Sequence, residues 1–351
     1  MRLLVTGATG FLGGALLPLL AKAGHRLRVI ARGDAAGAAA LGAEVVRGGL
    51  EDEAAVARAL EGVEAVYHLA GRVAFDPTDP AALYALHVEG TRRLLEAAAD
   101  AGVERVVLAS SSGTIAVSRE ERTATEADEP PITVVARWPY YLSKIYQEKA
   151  AFRVSRDRGL PLVVLNPSLL LGPGDERLSS TDVVFKFLER RIPAMPGGGL
   201  SFVDVRDAAQ AFAAALERGR PGERYLLGGA NMTFRDLFAR LERLSSVSAP
   251  RVKLPSTLNV AGARLLERFS TWRNTEPPID APSVEMGEHW WWCDSSKAAA
   301  ELGFAPRDPQ ETLLDTVRFL DARFRAKGRA RTVDALRPPG SARRDGSGSA
   351  R

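Results

Sequence analysis

Cysteine is almost absent from this 351-residue chain, where Cys293 is the single thiol. One thiol excludes an internal disulfide and any metal cage built from several cysteines. Histidine is scarce as well. His25, His68, His87 and His289 are scattered with no metal-ligand spacing, so no metal site is expected. Long apolar runs are missing: no stretch approaches the roughly 18 residues that a membrane span needs. The chain opens directly on an apolar strand, Arg2 to Thr6, so no signal segment is expected. A cytoplasmic location is therefore the default expectation.

Excess charge is also absent from most of the chain. The net charge is +4, and Gly328 to Arg351, with six Arg against two Asp, accounts for all of it. The remainder is close to neutral, which argues against a nucleic-acid partner. That tail is rich in Arg, Gly, Ser and Pro and poor in apolar residues, so disorder is expected there. What is present is ordinary globular composition, 46% hydrophobic and 26% charged, which lets a chain of this length bury a core without staples.

The first half alternates two patterns. Short apolar runs at Arg2–Thr6, Leu27–Ala31, Glu44–Arg47, Ala65–Leu69, Arg105–Ala109 and Leu162–Asn166 are bounded by Gly, Asp or Pro and read as strands. Helical stretches such as Phe11–Ala23, Glu53–Leu60 and Pro80–Ala101 lie between them. Strands separated by helices predict βαβ units in a doubly wound parallel sheet, an α/β fold of the Rossmann type. Residues 1–170 are expected to form this nucleotide-binding domain. Residues 171–327 are expected to form mainly a smaller substrate lobe, with segments returning to the first domain, and 328–351 the tail. Helices are expected at Ser180–Arg191, Arg206–Glu217, Phe234–Leu244, Ser256–Phe269 and Gln310–Arg325, with strands at Leu200–Val203 and Arg224–Leu227.

Three clusters carry chemistry. Gly7, Gly10 and Gly13 follow the first strand and open a helix, where a tight turn and free N–H groups suit a pyrophosphate. The second strand ends on Arg32 rather than on the carboxylate that would hold a ribose 2′-hydroxyl, and a guanidinium there suits a 2′-phosphate. Asp34 is close enough to serve the hydroxyl if the strand runs further. Tyr140 and Lys144 stand four apart at the start of a long helix, where an ammonium is expected to lower the phenol's pKa and fit it for proton transfer. The third cluster, Ser110-Ser111-Ser112-Gly113-Thr114, ends the fifth strand. A hydroxyl there can stabilise negative charge on a reacting carbonyl. Trp290-Trp291-Trp292 reads first as packing and second as a platform for a flat apolar substrate.

Together, Thr6–Gly13, His68–Gly71, the serines, Tyr140–Lys144, Asn166–Asp175, Phe202–Asp207 and Asp294–Phe304 resemble the extended short-chain dehydrogenase/reductases, in family order over residues 1–325. Ser111–Thr114 and Arg32 look most like the dihydroflavonol 4-reductase-type carbonyl reductases. The resemblance implies NADP(H), with NAD(H) as the alternative, and makes Tyr140 the acid and Lys144 its modulator and ribose anchor. Matching the reductases selects Ser111 as the carbonyl donor, and matching the sugar epimerases selects Ser112. It also implies Gly7, Thr9, Gly10, Phe11, Leu12, Gly13, Arg32, Leu50, Leu69, Ala70, Gly71 and Pro167 as cofactor contacts, and it admits a homodimer. The family's Asn-Val-x-Gly-Thr is replaced here by His87-Val-Glu-Gly-Thr91, and its Gly-Asp-Leu by Gly48-Gly49-Leu50. The expected activity is hydride transfer to a carbonyl, or from a secondary alcohol, of a small organic substrate. The alternatives are a sugar-nucleotide epimerase or dehydratase and a non-catalytic nucleotide sensor or scaffold.

Overall fold

The apolar runs of the first half are buried on both faces, as a parallel sheet covered by helices on each side requires. In the computed structural model, which describes residues 1–73, 79–252, 254, 255, 259–263, 265 and 281–325, they form β1 (Arg2–Thr6), β2 (Arg26–Ala31), β3 (Glu44–Arg47), β4 (Ala65–His68), β5 (Arg105–Ala109) and β7 (Leu162–Pro167). A seventh strand, β10 (Arg224–Leu227), joins them from the C-terminal half. The order is β10-β7-β5-β4-β1-β2-β3 with every pair parallel. The chain leaves β1 toward β3 and then returns to β4 on β1's other side. That reversal opens a crevice at the carboxyl ends of β1 and β4, where ligands bind in such sheets.

Helices α1 (Phe11–Lys22) and Val205–Arg218 cover one face of the sheet, with Leu16, Leu20, Phe212 and Ala215 fully buried between them. The other face is covered by helices Glu53–Leu60, Gly90–Asp100 and Pro139–Arg158. The expected helix Pro80–Ala101 is interrupted by a π-type turn at Ala85–Glu89, which carries His87 into the interior. Such turns concentrate at functional sites.

The second half departs from the expected rhythm in one place that matters. Leu162–Leu171 looks like one apolar run ended by Gly172, but Ser168 divides it. β7 stays in the large sheet, whereas β8 (Leu169–Leu171) pairs with β9 (Gly199–Asp204), which also pairs antiparallel with β11 (Ala230–Thr233). Helices Asp182–Leu188, Phe234–Ser245 and Pro309–Leu320 pack on this small sheet through Phe187, Phe238, Leu241 and Leu313. β6 (Thr123–Ala124) and β12 (Trp292–Cys293) make a short parallel pair. The expected helix Ser256–Phe269 lies largely outside the described residues, and the tail from Gly328 wholly so.

Candidate active site

Gly7 turns the chain out of β1 with φ +71, and a Cβ there would sit 2.6 Å from the backbone of Leu69 and Ala70. The β1 and β4 ends therefore approach as closely as glycine permits. A Cβ on Gly13 would overlap the Gly7 carbonyl and lie 2.8 Å from Ala8 Cα, so helix α1 rests on the turn itself. At Gly10, by contrast, only the Gly7 oxygen is near, at 3.2 Å. Gly10 is the N-cap of α1 and contributes no side chain to its free N–H groups. This is a cradle with room and donors for a pyrophosphate. Gly13→Ala is expected to weaken nicotinamide nucleotide binding at least ~10-fold by displacing that turn, which a fluorescence titration reads. Unchanged affinity would show that the turn is not the binding element.

β2 ends at Ala31, so Asp34 lies beyond it, and its Oδ1 accepts from Ala36 N at 2.9 Å, starting a short helix. Arg32 is exposed and makes no hydrogen bond or ion pair among the described residues. Arg47, at the end of β3, reaches across to the Gly33 carbonyl, so a second guanidinium that sequence reasoning did not single out borders the same turn.

The helix Pro139–Arg158 buries Tyr140, Ser143, Lys144, Gln147 and Glu148 on one face at the three- and four-residue spacing of neighbours. Pro139 sits at its first position, where a missing N–H costs nothing. A polar face of this kind survives burial only if each group finds a partner. Lys144 Nζ donates to Ala109 O at 2.9 Å and to Gln147 Oε1 at 2.8 Å. Gln147 donates to Thr91, which also bonds His68, which in turn bonds Thr6. Thr6 Oγ1 accepts from Ala70 N at 3.1 Å, which closes the chain on the cradle. His87 replaces the family's asparagine. Its Nε2 accepts from Arg72 N at 3.1 Å, while Nδ1 meets Ser143 Oγ at 2.8 Å. Ser143 donates to Tyr140 O at 2.7 Å, so it accepts from His87, which carries its proton on Nδ1.

The Ser111 hydroxyl lies beside the Tyr140 phenol, where it acts to lower the phenol's pKa. Ser110 donates its hydroxyl to Glu148, and Ser112 begins the single turn Ser112–Thr114. One expectation is corrected here. The Tyr140 phenol is pushed up to about 12, because burial outweighs the opposing hydrogen bond from Ser111. Lys144 does not reverse this: its ammonium is directed to Ala109 and Gln147, and burial brings it down to about 8 against the opposing charge of Glu148.

Tyr140, Ser111 and Ser112 face a cavity of about 270 Å³, together with Pro167 and Ser168. Its wall is mostly apolar, with Val73, Leu169, Leu170, Ile192, Leu200, Phe238 and Met286 among the lining residues. Among the described residues the charged lining residues are Asp182 and Lys186, paired with each other at 2.8 Å. Of the three tryptophans, Trp290 bridges to Ser118 and Gly199, and Trp292 belongs to β12. Trp291 lines the cavity and packs 4.9 Å from Tyr141, ring centre to ring centre. The indoles pack, and Trp291 does so at the cavity wall. Cys293 is buried against Ser201, and burial raises its thiol to about 12, which makes it inert. Among the described residues no cluster of His, Cys, Asp and Glu could hold a metal, and no helix is long and apolar enough to cross a membrane.

The comparisons agree with this architecture. Residues 3–228 match the NAD dependent epimerase/dehydratase family. A putative dihydroflavonol 4-reductase from Synechocystis is 30% identical over 90% of this chain and 93% of its own length. Sterol demethylase protein B from Methylococcus capsulatus is 33% identical over 93% and 99%. The crystal structure of a nucleoside-diphosphate-sugar epimerase from Pseudomonas aeruginosa superposes with a TM-score of 0.75 at 25% identity, covering 92% of this chain and 98% of that one. The chain thus belongs to the NAD-dependent epimerase/dehydratase family, the extended short-chain dehydrogenase/reductases, and is an NAD(P)-dependent oxidoreductase of that kind.

Proposed function

We propose that the protein is an NADP(H)-dependent reductase acting on a carbonyl of a predominantly apolar small molecule. The observation that carries this reading is the placement of Ser111 and Tyr140 together on a cavity where the one cation among the described residues, Lys186, is paired with Asp182. A sugar nucleotide brings a diphosphate of charge near −2, which calls for unpaired guanidinium or ammonium groups in the substrate cavity. This cavity offers apolar surface instead, which speaks against the epimerase alternative.

When bound, NADPH supplies the hydride that reduces the carbonyl carbon. The cradle of Gly7, Gly10 and Gly13 would hold its pyrophosphate, Arg32 with Arg47 alongside its 2′-phosphate, and Pro167 would wall the nicotinamide. Lys144, with a donor to spare beyond Ala109 and Gln147, would hold ribose hydroxyls. Tyr140 and Ser111 then act on the substrate oxygen. Both hydroxyls donate to it as negative charge develops, and the Tyr140 proton crosses to the forming alkoxide. A phenol near 12 remains protonated at neutral pH, so the acid is loaded for reduction.

The test is a titration with NADPH and NADH, repeated with Arg32→Ala. NADPH is expected to bind at least ~10-fold more tightly, by a charge-assisted contact worth roughly 1.5–3 kcal/mol, and the substitution is expected to remove most of that preference. Tighter NADH binding that ignores Arg32, or NAD that copurifies with the protein, would move the reading to the epimerases.

A further inference from the structure

The buried face of the helix Pro139–Arg158 repeats a polar residue at every fourth position, Tyr140, Lys144 and Glu148. The first two have roles in the reductase reading, on which this inference rests; Glu148 has none so far. It is only 4% exposed, and a carboxylate in that position must be fully hydrogen-bonded or paired. Its Oε1 accepts from three side chains on separate segments: Ser110 after β5, Thr114 in the following turn at 2.8 Å, and Asn166 in β7 at 2.6 Å. Thr114 and Asn166 also reach the Ser111 carbonyl, at 2.8 and 3.2 Å. Oε2 faces Arg224 of β10 at 3.6 Å. Ser110 and Thr114, which flank Ser111, are therefore tied to one carboxylate on the helix that carries Tyr140, and the Ser111 carbonyl is held to it through Thr114 and Asn166.

The charge matters separately from the tether. Lys144 is faced by Glu148 on its own helix, by His68 from β4 and by His87, which Arg72 faces in turn, with Arg224 beyond Glu148. Burial keeps both imidazoles neutral, so Glu148 is the anion of this group.

We infer that Glu148 is a positioning residue, which fixes the Ser111 hydroxyl at the Tyr140 phenol and supplies the negative charge opposite the buried Lys144 ammonium.

Two substitutions separate these effects. Glu148→Gln keeps the size and removes the charge, whereas Glu148→Asp keeps the charge and shortens the reach. Lys144 titration is followed by heteronuclear NMR of the lysine side chains, assigned with Lys144→Met. This readout needs no substrate. In Glu148→Gln the Lys144 titration is expected to move down by about one pH unit. The kcat for carbonyl reduction should fall about 10- to 100-fold with KM within about twofold, as for a displaced reacting group. In Glu148→Asp the titration should stay near that of the parent while kcat still falls. Parent kcat and parent Lys144 titration in Glu148→Gln, with only a lowered Tm, would overturn the inference by reducing Glu148 to a structural role. If Glu148→Gln does not fold, Thr114→Val removes one Oε1 donor and leaves the charge. It should then lower kcat several-fold with the Lys144 titration unmoved, and an unchanged kcat would equally overturn the tether. A parent protein that reduces no carbonyl, combined with a lowered Lys144 titration in Glu148→Gln, would defeat the reductase reading while supporting the charge role of Glu148.

Discussion

Tyr140→Phe is expected to lower kcat for carbonyl reduction about 10²- to 10⁴-fold, the usual loss when a positioned acid is removed. The physical case for so clean an effect lies in the surroundings. Phenylalanine has the same shape, and Tyr140 is only 8% exposed, so the ring keeps its packing, including the edge contact with His87 at 5.8 Å. The hydroxyl alone is lost, and Ser111 retains the Gly113 N–H at 3.2 Å. NADPH affinity is expected to stay within about threefold, since the glycine cradle and Lys144 are untouched. Direction is part of the same prediction. Because burial holds the phenol near 12, the protonated form that reduction needs dominates at neutral pH, while alcohol oxidation needs the scarce phenolate and should accelerate with rising pH. Steady-state kinetics in both directions checks this. A Tyr140→Phe enzyme that retains parent kcat, or an oxidation rate that is flat in pH, would remove Tyr140 from the chemistry.

Much of this site is local and was therefore legible in the chain. The turn Gly7–Gly13 depends on backbone conformation at successive residues, and the Tyr140–Lys144 spacing follows from the helical repeat. The strands of the large sheet up to β7 were visible because each is a short apolar run with its own boundaries. The parts that escaped depend on partners far away in sequence. The division of Leu162–Leu171 at Ser168 is dictated by β9 and β10, not by anything in those ten residues. The direction of the Tyr140 pKa depends on where Lys144 points, and Ala109 and Gln147 decide that. Glu148 looked like one more helix acid. What distinguishes it is three donors contributed by Ser110 just after β5, by the following turn and by β7. A hint was available: Glu148 continues the four-residue series of Tyr140 and Lys144 onto the same face.

The protein should also lose stability steeply as pH falls below about 6.5, well before its carboxylates titrate. His68 and His87 are fully buried, and both are held neutral, at about 3 and about 2, chiefly by burial and secondly by the Lys144 ammonium. In the unfolded chain each takes a proton near 6.5. A depressed histidine contributes stability that is complete above 6.5 and is lost as pH falls toward the folded value, because only the unfolded state gains the proton. Each histidine therefore costs about 1.4 kcal/mol per pH unit below 6.5, and the pair about 2.7. From pH 6.5 to 5 the loss is about 3 kcal/mol, a large part of the stability of a marginal domain. Other groups do not blur this window. The carboxylates of Asp175 and Asp204 are held below the usual range by their hydrogen bonds, so their contributions fade only below about pH 4. Lys144 departs from its unfolded value only above about 8. His25 shares the sign of the two buried histidines but is only partly buried. Urea unfolding at a series of pH values measures the slope, and His87→Asn should roughly halve it between pH 6 and 4.5. Asparagine can still accept from Arg72 N and donate to Ser143, so the fold should survive the exchange. Stability that stays level from pH 7 to 5 would mean that both imidazoles take a proton inside the folded protein, and the neutral bridge from Arg72 through His87 to Ser143 would have to be redrawn.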